Sequence, residues 1–315
     1  MQHKVLVTGG AGFIGSHLVE RLLARGEAVT VLDDLSSGRP QNLPAGVRLV
    51  RGDILDGGLL GKLARDADSI FHLAALVSVP ECNADWLGGH RINLGGSMAV
   101  LRAAQQAGNV PVIYASSAAV YGNRSGLACA EDSLPLPISP YAADKLATEH
   151  QARAMAEIHG LASVGLRFFN VYGPRQDAAS AYAGVISKFC ANRLADRPHQ
   201  IFGDGGQSRD FIAVSDVAQG LLLARESLAR RAGARVYNLC TGQQTTLLDL
   251  AAAIDHVSGR AALPIRHQPA RGGDIRASCG APDLAARELG FRAATGIEAG
   301  LATLWASLQG KGASG

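Results

Sequence analysis

The chain has 315 residues, 47% of them hydrophobic and 18% charged, so it is too apolar for a disordered protein and long enough for about two domains. Its 30 basic and 27 acidic residues give a net charge of +3 without a run of like charges, which excludes the electrostatic footprint of a nucleic-acid or lipid-surface binder. Neither a signal-peptide core nor an 18-residue apolar span is present. We therefore expect a cytoplasmic globular protein without nucleic-acid or membrane partners.

Short β-branched or apolar runs alternate with longer helical stretches through the first half of the chain. The predicted strands cover residues 4–8, 28–32, 47–51, 69–73, 111–115 and 163–168, and the predicted helices cover 14–25, 92–107 and 141–159. This alternation is typical of βαβ units. The predicted fold class is therefore α/β, a Rossmann-type doubly wound parallel sheet with a smaller α/β substrate-binding cap domain.

From about residue 171 the alternation stops, and glycine, proline and arginine gather in loops. A strand at 211–214 and a helix at 217–229 then indicate a return to the first domain. We predict that residues 1–170 and about 212–238 form the nucleotide-binding domain, and that about 171–211 and 239–315 form the cap. The five cysteines are widely spaced without a C-x-x-C pair, which favours buried thiols over disulfides or a metal site.

The first predicted strand runs directly into a turn that contains Gly9, Gly10, Gly12 and Gly15. Glycines let backbone N–H groups approach a pyrophosphate at the positive end of the following helix. Asp33 ends the next strand, 21 residues beyond Gly12, where a carboxylate accepts hydrogen bonds from both adenosine ribose hydroxyls and repels a 2′-phosphate. These features predict an NAD site; the alternative is a plain turn with a helix-capping aspartate.

Asp53 and Ile54 follow the third predicted strand, where a hydrogen bond and an apolar contact could hold the adenine. An aspartate at this place is equally typical of a helix N-cap. From the sequence both interpretations stay open.

Tyr141 and Lys145 lie four residues apart in a predicted helix, so both side chains project from one face. A free phenol has a pKa of about 10, and a neighbouring ammonium favours its phenolate, so we expect Lys145 to lower the pKa of Tyr141. Ser116 and Ser117 stand at a strand end, the edge where open parallel sheets bind ligands, and Ser117 is the candidate proton relay. The same Tyr and Lys spacing is also typical of a simple surface contact.

The motifs TGGAGFIG, GDI, HLAA, SSAAVYG, YAADK and RFFN, in this order, resemble the extended short-chain dehydrogenase/reductase family that acts on nucleotide sugars. The resemblance spans nearly the whole chain. GDGGQSRDFIAVSDVA and PARGGDIRAS are similar to cap motifs of UDP-hexose 4-epimerases, and AYAGVISK with ALVSVPE resembles the UDP-N-acetylglucosamine 4-epimerases. The resemblance implies a homodimeric isomerase with bound NAD that interconverts UDP-GlcNAc and UDP-GalNAc, and also UDP-Glc and UDP-Gal, through a 4-keto sugar.

The resemblance also implies roles for individual residues. The implied catalytic residues are Ser117, Tyr141 and Lys145. The implied NAD-binding residues are Gly9, Gly12, Phe13, Ile14, Gly15, Asp33, Asp53, Ile54, Ala74, Ala75, Tyr141 and Lys145. The implied substrate-binding residues are Ser78, Ser117, Tyr141, Asn170, Arg209, Arg271, Asp274 and Ser278. Among these, Asn170, Arg209 and Arg271 would hold the diphosphate, although Arg209 beside Asp210 is also typical of a surface ion pair.

Relatives on the same scaffold catalyse other reactions. Nucleotide-sugar 4,6-dehydratases and UDP-glucuronate decarboxylases usually carry an acid after the catalytic Ser or Thr, where this chain has Ala118, so we do not expect dehydration. UDP-glucuronate 4-epimerases, many with Thr in place of Asn170, are the second choice. A catalytically silent dinucleotide sensor is a further alternative, but it would not need Ser117, Tyr141 and Lys145. A hydrolase with a catalytic triad would need a G-x-S-x-G motif, which this sequence lacks.

Ser278 stands where glucose-restricted epimerases carry a bulky aromatic residue. A small side chain there leaves room for an acetamido group, whereas an aromatic ring would exclude it. The alternative is an ordinary solvated loop serine. On the first interpretation the preferred substrates are the N-acetylated UDP-hexoses.

Overall fold

The computed structural model describes residues 2–124, 128–176, 184–270 and 275–312. Its strands are β1 Lys4–Thr8, β2 Ala28–Asp33, β3 Arg48–Arg51, β4 Ser69–His72, β5 Val112–Ser117, β6 Ser163–Phe168, β7 Asn170–Tyr172, β8 His199–Phe202, β9 Ser208–Arg209, β10 Phe211–Ala213, β11 Ala234–Leu239, β12 Thr245–Thr246, β13 Ile265–Gln268 and β14 Ala277–Ser278. Its helices are α1 Phe13–Ala24, α2 Gly57–Arg65, α3 Val79–Ala84, α4 Trp86–His90, α5 Gly96–Gln106, α6 Pro140–His159, α7 Val185–Leu194, α8 Val214–Leu228, α9 Leu247–Val257, α10 Asp283–Leu289 and α11 Ile297–Gly312.

Seven of these strands form one parallel sheet in the order β3-β2-β1-β4-β5-β6-β11. The chain proceeds from β1 outward to β3 and then crosses back to place β4 on the other side of β1. The strand order therefore reverses between β1 and β4, and ligands of open parallel sheets bind in the crevice at such a point. The predicted α/β fold of Rossmann type is confirmed.

Helices cover both faces of the sheet, which explains the nearly continuous apolar character of its strands. Side chains alternate along β1, so Val5 and Val7 pack on the α1 side with Leu18, while Leu6 packs on the α2 side with Leu60. Burial of each such aliphatic side chain contributes roughly 1.5–3 kcal/mol relative to exposure. The sheet is thereby a rigid support for the loops at its carboxyl edge.

Most of the remaining short strands and helices form small sheets and a hydrophobic core of their own. Strand β9 pairs with β12 and β14, β8 pairs with β13, and a separate core contains Phe189, Ile201 and Leu250. Helix α8 returns to pack against α1 on the large sheet. The division of the chain into two domains at the residues given above stays a prediction.

The five cysteines are buried free thiols, as predicted. Among the residues described here, no helix is both long enough and apolar enough to cross a membrane.

Candidate active site

The glycine turn joins β1 to α1 at the point where the strand order reverses. Gly9 has a φ of +70°, and a Cβ on it would lie 2.6 Å from the Ala74 nitrogen because the loop after β4 packs directly on the turn. A Cβ on Gly15 would lie 2.2 Å from the Gly9 oxygen. Helix α1 begins at Phe13, and Gly12 provides no side-chain cap, so the first-turn N–H groups are available to an anion.

Asp33 is the last residue of the neighbouring strand β2 and is 6% exposed. Its Oδ2 accepts a hydrogen bond from the Ala11 N–H at 2.9 Å, and its Oδ1 accepts one from the Leu35 N–H at 2.9 Å. Burial raises the pKa of this carboxyl group, and the two hydrogen bonds oppose that rise. Because a carboxylate offers about four acceptor positions, roughly two are left for ribose hydroxyls. The turn and Asp33 together fit a dinucleotide.

The structure distinguishes the two interpretations of Asp53. The N-cap of α2 is Asp56, whose carboxylate accepts two N–H groups of the first turn. Asp53 instead accepts the Leu55 N–H at 2.9 Å within its own turn and is exposed, so it remains accessible. Ile54 is 6% exposed and packs on α5, where a Cβ on Gly96 would lie 2.3 Å from its Cδ1. It therefore offers little free surface to an adenine.

The three residues predicted to be catalytic lie together at the carboxyl end of β5. Ser117 ends this strand, and its side chain hydrogen-bonds the Tyr141 hydroxyl. Tyr141 and Lys145 lie one turn apart on α6, with the Lys145 Nζ 5.7 Å from the centroid of the tyrosine ring. The same Nζ donates a hydrogen bond to the Ala115 carbonyl at 3.0 Å.

Burial dominates the electrostatics of this cluster. It raises the pKa of the Tyr141 phenol to about 12, which the Ser117 hydrogen bond offsets only in part. It also lowers the pKa of the Lys145 ammonium to about 8, against the opposing effect of Asp144. The expectation that Lys145 lowers the phenol pKa is therefore wrong for the protein alone, because desolvation outweighs an ammonium that is bound to Ala115. Ionisation of Tyr141 requires a further positive charge.

Ser116 projects to the opposite face of β5 and belongs to a buried polar network. Its hydroxyl donates to Glu149 Oε1 at 2.5 Å, and Glu149 pairs with Arg167 at 2.6 and 2.9 Å. Arg167 also donates to the Tyr121 hydroxyl at 2.8 Å, which in turn donates to Asn238 at 2.7 Å. The network connects β5, the following turn and β11 beneath Ser117.

A cavity lies between the turn after β5 and the cap strands β9 and β14. Its volume is about 210 Å³, and it opens to solvent. The predicted substrate residues that line it are Ser117, Asn170, Arg209 and Ser278. The lining residues that sequence reasoning missed include Tyr121, Arg124, Cys129, Phe168 and Phe169. Tyr121 stands in the SSAAVYG motif and Phe168 and Phe169 in the RFFN motif, whereas Arg124 and Cys129 belong to neither.

Arg209 is held in the cavity wall by two backbone contacts. Its Nη1 donates to the carbonyl oxygens of Ser208 at 2.9 Å and Ile275 at 2.6 Å. Asp210 is fully buried and accepts N–H groups from Thr241 and Gly242, so the alternative of a surface ion pair does not hold. The guanidinium of Arg209 is thus presented to the cavity on a fixed support.

Four predicted substrate residues are not among the described residues that line this cavity. Tyr141 is one of them, although its neighbour Ser117 is a lining residue. Arg271 and Asp274 lie outside the described residues. Ser78 caps α3 by accepting the Glu81 N–H at 3.2 Å and is not among the residues that line this cavity.

The fold, the glycine turn with Asp33, and the Ser–Tyr–Lys cluster define a short-chain dehydrogenase/reductase of the extended type. Residues 5–240 match the NAD dependent epimerase/dehydratase family, and the chain belongs to it. The predicted family and the predicted NAD cofactor are confirmed.

Characterised relatives cover nearly the whole chain. A UDP-glucose 4-epimerase of Azospirillum brasilense is 37% identical over 302 residues, which are 91% of this chain and 86% of the relative. The UDP-N-acetylglucosamine 4-epimerase from Methanobrevibacter ruminantium, solved with UDP-N-acetylmuramic acid, is 36% identical with a TM-score of 0.93, covering 99% of this chain and 100% of its own. The Thermus thermophilus UDP-glucose 4-epimerase, solved with NAD, is 36% identical with a TM-score of 0.87, covering 98% of this chain and 99% of its own.

Proposed function

We propose that this protein is an NAD-dependent 4-epimerase of UDP-hexoses that interconverts UDP-GlcNAc and UDP-GalNAc, and also UDP-Glc and UDP-Gal. The observation that carries the proposal is the Ser117, Tyr141 and Lys145 cluster, of which Ser117 lines a cavity that Arg209 and Ser278 also line. The relatives named above support the same reaction on UDP-sugars.

Proton transfer is assigned to the hydroxyl groups of Ser117 and Tyr141. The Tyr141 oxygen accepts the proton of the sugar C4 hydroxyl, directly or through the Ser117 hydroxyl that is hydrogen-bonded to it. NAD, when bound, supplies the acceptor and later the donor of the C4 hydride, and a positive charge that favours the phenolate. The Lys145 ammonium donates one hydrogen bond to the Ala115 carbonyl, so its other two N–H groups are available to the cofactor ribose.

Loss of the hydride from C4 and of the proton from the C4 hydroxyl leaves a 4-keto sugar, which must rotate to present its other face before reduction. That rotation requires a fixed nucleotide and a loosely held hexose. Arg209 provides the fixed point for the diphosphate, because backbone carbonyls immobilise its guanidinium. Apolar neighbours such as Phe168 and Ala277 line much of the remaining cavity and form few hydrogen bonds with sugar hydroxyls.

Two cavity residues support the choice of reaction and sugar. Ala118 lines the cavity beside Ser117, where an acid would be needed to eliminate water from the sugar. Ser278 lines the cap side, and its small side chain leaves room for an acetamido group. The alternative is a UDP-glucuronate 4-epimerase.

The homodimer implied by the family resemblance stays a prediction. Trp86 and Leu87 are neighbours on α4, which packs against α6, and they are 58% and 63% exposed. Exposed apolar side chains that lie close together are typical of protein interfaces.

The Tyr141→Phe variant tests the proposal. Because only the proton acceptor is removed, we expect turnover to fall by roughly 10²–10⁴-fold, while calorimetry shows unchanged UDP binding. The matched control is Tyr172→Phe, which removes a buried hydroxyl that donates to Ile297 in the cap core. Turnover of Tyr141→Phe equal to that of the control would refute the assigned role.

The substrate is identified by NMR product analysis with UDP-GlcNAc, UDP-Glc and UDP-GlcA offered separately and then together. Epimerisation of UDP-GlcNAc and UDP-Glc is expected. Conversion of UDP-GlcA alone would establish the alternative function instead.

A further inference from the structure

The cavity wall carries a second arginine that the proposed mechanism does not use. Arg124 follows the turn after β5 and lines the cavity together with Cys129 and Ser278. Its Nη2 donates to the Leu134 carbonyl at 2.6 Å, which fixes the position of the guanidinium. Its Nε is buried and has no hydrogen-bond partner among the described residues.

Arg124 and Ser278 line the same cavity. The positive charge of Arg124 acts on the Cys129 thiol, where it opposes the burial that raises the thiol pKa. The Cys129 N–H donates to the Cys279 carbonyl at 2.9 Å, and Cys279 is the chain neighbour of Ser278. Arg124 therefore adjoins the wall that would admit a substituent of the sugar.

The described residues that line this cavity include Arg124 and Arg209 but no aspartate or glutamate. Within the described ranges, Arg124 forms no ion pair with a carboxylate; its single hydrogen bond is to a neutral carbonyl. A guanidinium carries five N–H donors in a planar fork, so Arg124 can donate to a ligand as well as to Leu134. Oxygen acceptors on a ligand would offset the cost of its partial desolvation.

We propose that Arg124 is a specificity-determining residue that binds a carbonyl or carboxylate oxygen carried by a substituent of the hexose. The inference rests on the proposed function, in which Arg209 binds the diphosphate. Two substituents have this chemistry, namely the acyl oxygen of a 2-acylamino group and the C6 carboxylate of a uronate. An unsubstituted hexose offers only hydroxyl groups to the same position.

The test compares Arg124→Gln and Arg124→Lys with the control Arg292→Gln, which removes an exposed arginine that lines neither this cavity nor its mouth. Calorimetric Kd values are measured for UDP, UDP-Glc, UDP-GlcNAc and UDP-GlcA, and KM and kcat for each sugar that is converted. We expect Arg124→Gln to weaken binding of UDP-GlcNAc or UDP-GlcA by roughly 10- to 100-fold, the effect of losing one charge-assisted hydrogen bond. UDP and UDP-Glc should change by no more than roughly 2-fold.

The UDP-sugar whose affinity falls in the Arg124→Gln variant identifies the substituent that Arg124 binds. Loss for UDP-GlcNAc indicates the acyl oxygen, and loss for UDP-GlcA indicates the carboxylate, in which case Arg124→Lys should recover part of the affinity through its point charge. Equal weakening of all four ligands, or no weakening of either substituted sugar, would overturn the proposal. The Arg124→Lys variant preserves the test if Arg124→Gln does not fold.

Binding and turnover answer separate questions. A wild-type protein that converts none of the three sugars would refute the proposed function. The Kd comparison would still decide whether Arg124 binds the substituent of the sugar.

Discussion

Replacing Lys145 by methionine is expected to make the cofactor-free protein more stable at neutral pH. Lys145 is 4% exposed, and this burial lowers the pKa of its ammonium group from 10.5 to about 8. A charged group in this position costs folding free energy. Under the proposed function, in which Lys145 binds the cofactor ribose, stability and catalysis oppose each other at this residue.

The size of the effect follows from the two pKa values. Their difference of about 2.5 corresponds to about 3 kcal/mol, at about 1.4 kcal/mol for each pH unit. Between about pH 8 and pH 10.5 the unfolded chain holds this proton and the folded chain does not, so the free energy of unfolding rises with pH. Below about pH 8 both states are protonated, and the full cost of burying the ammonium is present.

The assay is chemical denaturation of wild type and Lys145→Met, freed of bound nucleotide, at intervals from pH 7 to pH 10. The control is Lys62→Met, an exposed lysine on α2. At pH 7 the Lys145→Met protein should be more stable by about 2 kcal/mol, because roughly 1 kcal/mol is lost with the hydrogen bond to Ala115.

Towards pH 10 the wild type should gain up to about 3 kcal/mol relative to Lys145→Met, so the advantage of the variant disappears. The Cys82 thiol interacts with the Lys145 ammonium, so the difference between the two curves reports Lys145 together with its coupling to Cys82. Parallel curves for wild type and Lys145→Met would refute the reasoning.

Two further substitutions test the cofactor and sugar assignments. Asp33→Asn removes the charge that would accept the ribose hydroxyls, and we expect the calorimetric Kd for NAD to rise by roughly 10-fold or more; an unchanged Kd would contradict the ribose contact. Ser278→Tyr places a phenol ring in the cavity wall, and kcat/KM for UDP-GlcNAc should fall by at least roughly 10-fold while that for UDP-Glc changes little. Equal losses for the two sugars would show that Ser278 does not select by size.

The sequence was sufficient for the features that depend on local spacing. Strands β1 and β6 begin and end where the apolar runs do, since those residues are buried on both faces of the sheet. The turn at Gly9, the position of Asp33 at a strand end and the four-residue spacing of Tyr141 and Lys145 are likewise properties of short segments. These features were enough to predict the fold class, the NAD site and the three candidate catalytic residues.

Only the tertiary structure decided the roles of residues whose local pattern fits more than one role. It showed that Asp56 rather than Asp53 caps α2, and that Ser116 is held by Glu149 in the buried network. It also set the pKa of Tyr141 and brought Arg124 into the cavity wall beside the cap. The burial of a side chain and its contacts in space depend on residues that are distant along the chain. They therefore cannot be predicted from a short segment of sequence.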